Sequence, residues 1–196
     1  MRTIIGAYSS VSAEAAQTIA GLPALHLMLE ESLVMAQLKT AEEATFLGQQ
    51  IRRGQHATRK ARRQFLQDLS LRESQNKWKQ TTKGPTTHWF FPRFHTTWGR
   101  AATSSPIKVS ILIGHGEFQC CLFRIGKSED PTCRNCDNQE NDDSIHRIYG
   151  CPAFRDQRGL LRQLTRDWPI SPAEFGRLMV EEARIVEAVE QFGITE

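Results

Sequence analysis

Apolar positions along this chain recur mostly at intervals of three and four, the period of one helical face. Val11, Ala15, Ile19 and Leu22 set the first such stripe, with Ser12 placed to cap a helix through Ala20 and Gly21 with Pro23 placed to end it. Between residues 23 and 38, Leu25, Leu27, Met28, Leu29, Leu33, Val34, Met35 and Leu38 leave almost no polar face, which implies a core helix or a helix missing its partner. Ala57, Ala61, Phe65 and Leu69 make a further stripe, with Arg59 and Arg63 opposite. Ala101 to Pro106 reads as a loop, Ile107 to Ile113 is short and apolar and is stopped by Gly114-His115-Gly116, and Phe118 to Ile125 reads as a short helix. Phe154, Leu160, Leu161 and Leu164 predict a helix up to Trp168-Pro169. Ser171-Pro172-Ala173-Glu174 has the form of a capping box with proline at the first helical position. It opens a last segment with Phe175, Leu178, Met179, Ile185, Val186, Val189 and Phe192 inward and Glu181, Glu182, Glu187 and Glu190 outward. No internal repeat interrupts this order. The pattern predicts a mostly α protein.

Charge changes the picture more than composition does. With 196 residues, 39% apolar and 24% charged, the chain has the makeup of an ordinary folded protein. Five cysteines are an odd number, no apolar run approaches the length of a membrane span, and the start from Met1 to Ala7 lacks the apolar region of a signal peptide. A reducing, intracellular compartment and no membrane are the expectation. The net charge of +3 hides an asymmetry: residues 1–43 carry two basic and five acidic residues, residues 44–116 thirteen and two, and residues 117–196 ten and fifteen. So one-sided a centre attracts a polyanion, nucleic acid first.

Within that centre, Arg52, Arg53, Arg59, Lys60, Arg62 and Arg63 fall in twelve residues, and Lys77, Lys79, Lys83 and Arg93 follow. These ten are the candidate phosphate contacts; the plainer reading is a solvated basic face. Trp78, Trp89, Phe90, Phe91, Phe94 and Trp98 are interleaved with these cations, with Arg100 and with His88 and His95, an arrangement that can stack bases, although large rings more often serve a core.

The clearest chemistry lies from Cys133 to Cys151. Cys133-Arg-Asn-Cys136, then His146, then Cys151 make a CCHC set, the donor number and softness of a closed tetrahedral zinc site. Pro131-Thr132 and Asp137-Asn138 flank a tight turn, while Gly150 and Pro152 suit a chain bending back as a helix runs out. One ion can reach all four. The alternative is a metal-free loop in which His146 and Cys151 merely pack. A structural ion is the expectation, because four protein ligands leave no open position for a water-activating zinc. Cys120 and Cys121 diverge on a helix and read as core, and His115 has no acid or nucleophile beside it in sequence.

The landmarks Ala7 to Ala15 leading to Ala20-Gly21-Leu22-Pro23, Trp78 with Thr82-Lys83-Gly84 and Thr87-His88, Gly114-His115-Gly116-Glu117-Phe118, Leu122 to Lys127, and the four ligands ending in Cys151-Pro152 follow one another in order. In this order the chain resembles the C-terminal region of the Pol polyprotein of type-1 (non-LTR) retrotransposable elements, most like those that insert into ribosomal RNA genes. Ile113 departs from that pattern, which commonly has threonine before Gly-His-Gly. The resemblance implies a parent RNA-directed DNA polymerase with endonuclease activity, Mg2+ only in that parent polymerase, and a nuclear location at integration. It also implies two partners: element RNA or target DNA, and the upstream polymerase part of the same polyprotein.

The segments expected are 1–50, a helical stretch following the polymerase core of the parent; 51–128, basic, aromatic-rich and helical; 129–168, the CCHC zinc module with its following helix; and 169–196, an amphipathic helix. The leading function is nucleic-acid binding. A nuclease using Asp156 and Asp167 is one alternative, and a zinc-stapled structural piece docking on the polymerase is another. The Asp142-Asp143 pair sits in a polar run and reads as loop rather than as a two-metal catalytic pair.

Overall fold

The structure is a computed structural model that describes residues 11–94 and 105–192. The expected start of the loop at Ala101, the landmarks before Val11, and His95, Trp98 and Arg100 lie outside the described residues. The fold is about 60% helical, as the apolar spacing predicts, with few strands. In chain order the elements are α1 (Ala13–Ala20), α2 (Leu25–Gln37), β1 (Glu43–Phe46), β2 (Gln49–Arg52), α3 (Arg59–Gln80), α4 (Pro85–Phe90), α5 (Pro106–Ile113), α6 (Gln119–Arg124), a π-helical turn (His146–Gly150), α7 (Arg155–Leu164), α8 (Pro172–Glu181) and α9 (Ala183–Glu190). They form two compact units, one of Leu22–Thr81 and one that joins the stretch up to Gly21 to everything from Thr82 onward. Among the described residues no single helix is long and apolar enough to cross a membrane.

The unit of Leu22–Thr81 contains an antiparallel hairpin that the helical reading did not foresee. β1 and β2 pair Glu43 with Arg52, Ala44 with Ile51, Thr45 with Gln50 and Phe46 with Gln49. The two connecting residues, Leu47 and Gly48, both take positive φ (49° and 76°), the backbone of a tight hairpin turn. Ala44, Phe46 and Ile51 face inward and meet Val34, Met35 and Leu38 from α2 and Leu66 from α3, with Phe65 and Leu69 packed against them.

One expected helical face is corrected here, and of the two readings of α2 a fully buried core helix is excluded. Ala57 precedes α3 and Ala61 is exposed; the buried stripe is Leu66, Ser70, Ser74 and Trp78, and the element that α3 packs against is α2. On α2 only Leu27, Val34 and Met35 are buried, while Leu25, Leu29 and Leu33 stand 60%, 57% and 62% exposed.

In the other unit Ser12 caps α1 as expected, its Oγ accepting the Ala15 N–H at 3.1 Å, and Gly21 closes the helix in the left-handed region. Gly114 does the same for α5 at φ 66°, and a Cβ there would meet Thr86 Oγ1 at 2.5 Å, so the Gly-His-Gly stretch marks a helix end against α4. The expected single C-terminal segment breaks at Glu182 into α8, which packs on α4, and α9, which packs on α7. Gly176 permits the α4 contact, since a Cβ would lie 2.7 Å from the Phe90 carbonyl oxygen. The capping box is half formed: Ser171 Oγ accepts the Glu174 N–H at 3.1 Å, whereas the Glu174 carboxylate turns to Arg177. Tyr149 stacks on Trp168 with centroids 5.2 Å apart, and both meet the edge of Phe175. The helix expected up to Trp168-Pro169 ends at Leu164, which is exposed there.

Candidate metal centre

Short backbone ties shape the loop that carries Cys133 and Cys136. The Cys133 N–H donates to Glu140 O at 2.8 Å and the Asp142 N–H to Pro131 O at 2.9 Å, so the polar run runs back alongside the strand-like entry to the turn. Within the turn the Asn135 N–H points at Cys133 Sγ, 3.4 Å away. His146 follows a side-chain cap, the Asp143 Oδ1 accepting its N–H at 2.7 Å.

His146 and Cys151 are five positions apart, and on a regular α-helix that spacing would point them about 140° from each other. The chain solves this with the π-helical turn, in which the Cys151 N–H bonds to His146 O at 2.7 Å, a widened ring that brings both side chains to one side. Arg158 then ties the end of that turn, donating to Cys151 O at 2.6 Å and Arg147 O at 3.3 Å.

Together these devices place the ligand atoms of Cys133, Cys136, His146 and Cys151 all within 4.8 Å of one another. Cys133 Sγ lies 3.8 Å from Cys151 Sγ, and Cys136 Sγ lies 3.4 Å from His146 Nε2. A tetrahedron with Zn–S near 2.3 Å and Zn–N near 2.05 Å has S···S edges of about 3.8 Å and S···N edges of about 3.6 Å, so these two edges are close to those of such a site and the cluster is compatible with zinc. Burial pushes the Cys151 thiol up to about 12, so without a cation that sulfur stays protonated. A divalent ion at the centre would supply the compensating charge.

The Asp142-Asp143 pair, read as loop, does lie outside regular structure, but Asp142 is fully buried. Its carboxylate takes Arg147 bidentately, Nε to Oδ1 and Nη2 to Oδ2 both at 2.6 Å, and accepts the Gln119 N–H at 2.9 Å. Arg147 also donates to Glu117 O at 2.7 Å and lies 4.9 Å from the Phe118 ring centroid. Burial works against the Arg147 charge, and Asp142 more than offsets it. The sequence hid this pair because a polar run of Gln139 to Ser144 looks the same whether it faces water or a buried arginine. Cys121 is buried and Cys120 half-buried, both free, neither in the cluster. Burial lowers the His115 pKa against a bond from Nδ1 to Ile113 O at 2.9 Å.

The ten basic candidates divide by their surroundings. Arg52 pairs with Glu43 at 3.0 Å, Arg53 with Glu42 and with Lys39 O, and Arg62 donates to Arg53 O, so these three brace the hairpin. Lys77 lies 3.5 Å from Glu73 and 3.4 Å from His26 Nε2. Arg59, Lys60 and Arg63 are exposed in the first two turns of α3, where no acid accompanies them in the first turn. Lys79, Lys83 and Arg93 are also exposed. Of the aromatics, Trp78, Phe90 and Phe91 are buried and Trp89 is 57% exposed.

The chain is thus mostly helical and carries a compact Cys3His cluster that could form a zinc site, and comparison with known proteins carries this further. The chain is similar to the retrovirus-related Pol polyprotein from type-1 retrotransposable element R1 4 of Nasonia vitripennis, 28% identical over 156 residues that cover 77% of this chain and 38% of that protein. The resemblance read from the sequence landmarks is thus to a Pol-related region of a retrotransposon, and the chain spans well under half the length of the relative. No family model and no solved structure matches it.

Proposed function

We propose that this chain is a zinc-stapled nucleic-acid-binding part of a retrotransposon Pol polyprotein, whose intact form would act as an RNA-directed DNA polymerase with endonuclease activity. Cys133, Cys136, His146 and Cys151 would hold one structural zinc, which closes the loop and turn around itself. Zinc binding of this kind is folding free energy, since the ligands are not assembled in an unfolded chain.

The observation that carries the binding reading is the exposed trio Arg59, Lys60 and Arg63 at the start of α3. Cations at a helix N-terminus oppose the helix dipole, so the arrangement costs stability unless an anion sits there. A phosphate backbone would relieve that cost and supply affinity without reading sequence. In the same unit exposed Lys79 offers a further phosphate donor, and the other unit by itself exposes Lys83, Arg93 and the Trp89 ring. The upstream polymerase part of the same polyprotein is the proposed protein partner, and element RNA or target DNA the proposed ligand.

The test is binding of single-stranded RNA and duplex DNA by the purified chain, with zinc measured on the same sample. One zinc per chain and salt-sensitive binding are expected. Binding to neither polymer, or equal binding before and after zinc is stripped with no change in fold, would contradict the reading.

A further inference from the structure

We infer that Glu140 is the positioning residue of the metal cluster: its carboxylate holds Nδ1 of His146 and so presents Nε2 to the ion. This rests on the reading of the cluster as a metal site. The two tautomers of a neutral imidazole differ little in free energy in water, so which nitrogen keeps its lone pair is decided by the partner of the other one. Glu140 Oε2 stands 2.6 Å from His146 Nδ1, and on the opposite side of the ring Nε2 faces Cys136 Sγ at 3.4 Å. A carboxylate accepts only, which fixes the proton on Nδ1 and leaves Nε2 as the donor atom.

Two further observations single out Glu140 from the polar run Asp137 to Asn141. Its backbone carbonyl accepts the Cys133 N–H at 2.8 Å, so one residue holds the first cysteine by its main chain and the histidine by its side chain. Gly150 lies against the same pair: a Cβ there would sit 3.4 Å from His146 Nδ1 and 3.6 Å from Glu140 Oε2. These are ordinary van der Waals distances, so the main chain at Gly150 lies against the Glu140–His146 pair without crowding it.

Partners of this kind contribute about 10- to 100-fold to metal affinity. The Glu140 side chain is 58% exposed, so water can replace part of its bond and the lower end of that range, about tenfold, is expected. The experiment is chelator competition for zinc on the full chain, with cobalt absorption as a report on ligand geometry. Glu140→Ala should weaken zinc about tenfold and alter the cobalt spectrum with helix content unchanged. Glu140→Gln, whose amide oxygen still accepts from Nδ1–H, should recover most of the loss. Glu140→Met keeps the length without the acceptor and replaces the alanine variant if that one fails to fold. Parent affinity in the variants lacking the acceptor, or no recovery by glutamine, would overturn the inference while leaving the metal site standing. A parent chain that takes up no zinc or cobalt would overturn the cluster reading itself.

Discussion

In the unit that holds the cysteine cluster, Arg147 and Arg158 are turned inward, each buried, and their donors are spent on Asp142 and on main-chain carbonyls of the π turn and its neighbours. In the unit of Leu22–Thr81, Arg59 and Arg63 face solvent, while Arg52 and Arg53 answer the acids Glu43 and Glu42 across the hairpin. A guanidinium satisfied inside a unit is a brace; one left in water at a helix N-terminus is available to a phosphate. The difference separates arginines that hold the fold from arginines offered to a partner, although a count of basic residues treats them alike.

The comparison can be broken most severely at the cluster. Cys136→Ser should remove the metal and loosen residues 130–165, seen as lost zinc and as faster hydrogen exchange there, while Cys120→Ser should retain the parent's zinc content. The next effect is on the braces. Arg147→Ala leaves a buried Asp142 unpaired and should cost about 3–5 kcal/mol in urea unfolding, whereas Arg63→Ala should stay within about 0.5 kcal/mol. Similar costs for both would dissolve the distinction between the two kinds of arginine.

The smallest expected effect is alkaline. Burial raises the Cys120 thiol to about 11 from an ordinary 9, with Asp143 adding to the rise. The folded state therefore holds that proton more tightly than the unfolded one, and the stability this gives is present below pH 9 and lost as pH climbs toward 11. Cys120→Ala should flatten this part of the stability profile, and an unchanged slope between parent and variant would contradict the assignment.

Much of the candidate site was legible because its information is local. Cys133-x-x-Cys136 and the later His146 and Cys151 declare a ligand set by type and spacing alone, and Ser12 and Ser171 declare their helix starts by the hydroxyl each offers to the first turn. What stayed hidden depends on register or on a single shifted hydrogen bond. Strands of four residues carry too little alternation to outweigh the charge that dominates Ala44 to Gln67, so the hairpin was unread and with it the pairing of Arg52 and Arg53 with Glu43 and Glu42. The π turn differs from an α turn by the carbonyl that Cys151 chooses, which no residue type announces. Asp142 and Glu140 looked like solvated loop because their partners, Arg147 and His146, become neighbours only after that turn has formed.

The most direct test of the binding account is a salt titration of RNA and duplex DNA binding by the parent chain, by Arg59→Gln with Arg63→Gln, and by His146→Ala. Each phosphate contact released flattens the log-log salt dependence by about 0.7 to 0.9. The double variant should therefore bind every nucleic acid more weakly by a similar factor, with a slope reduced by roughly one to two units, while His146→Ala changes preference among nucleic acids with little change in slope. If the double variant keeps the parent's slope and the His146 variant loses it, then the start of α3 does not meet phosphate and the cysteine cluster carries the contacts instead.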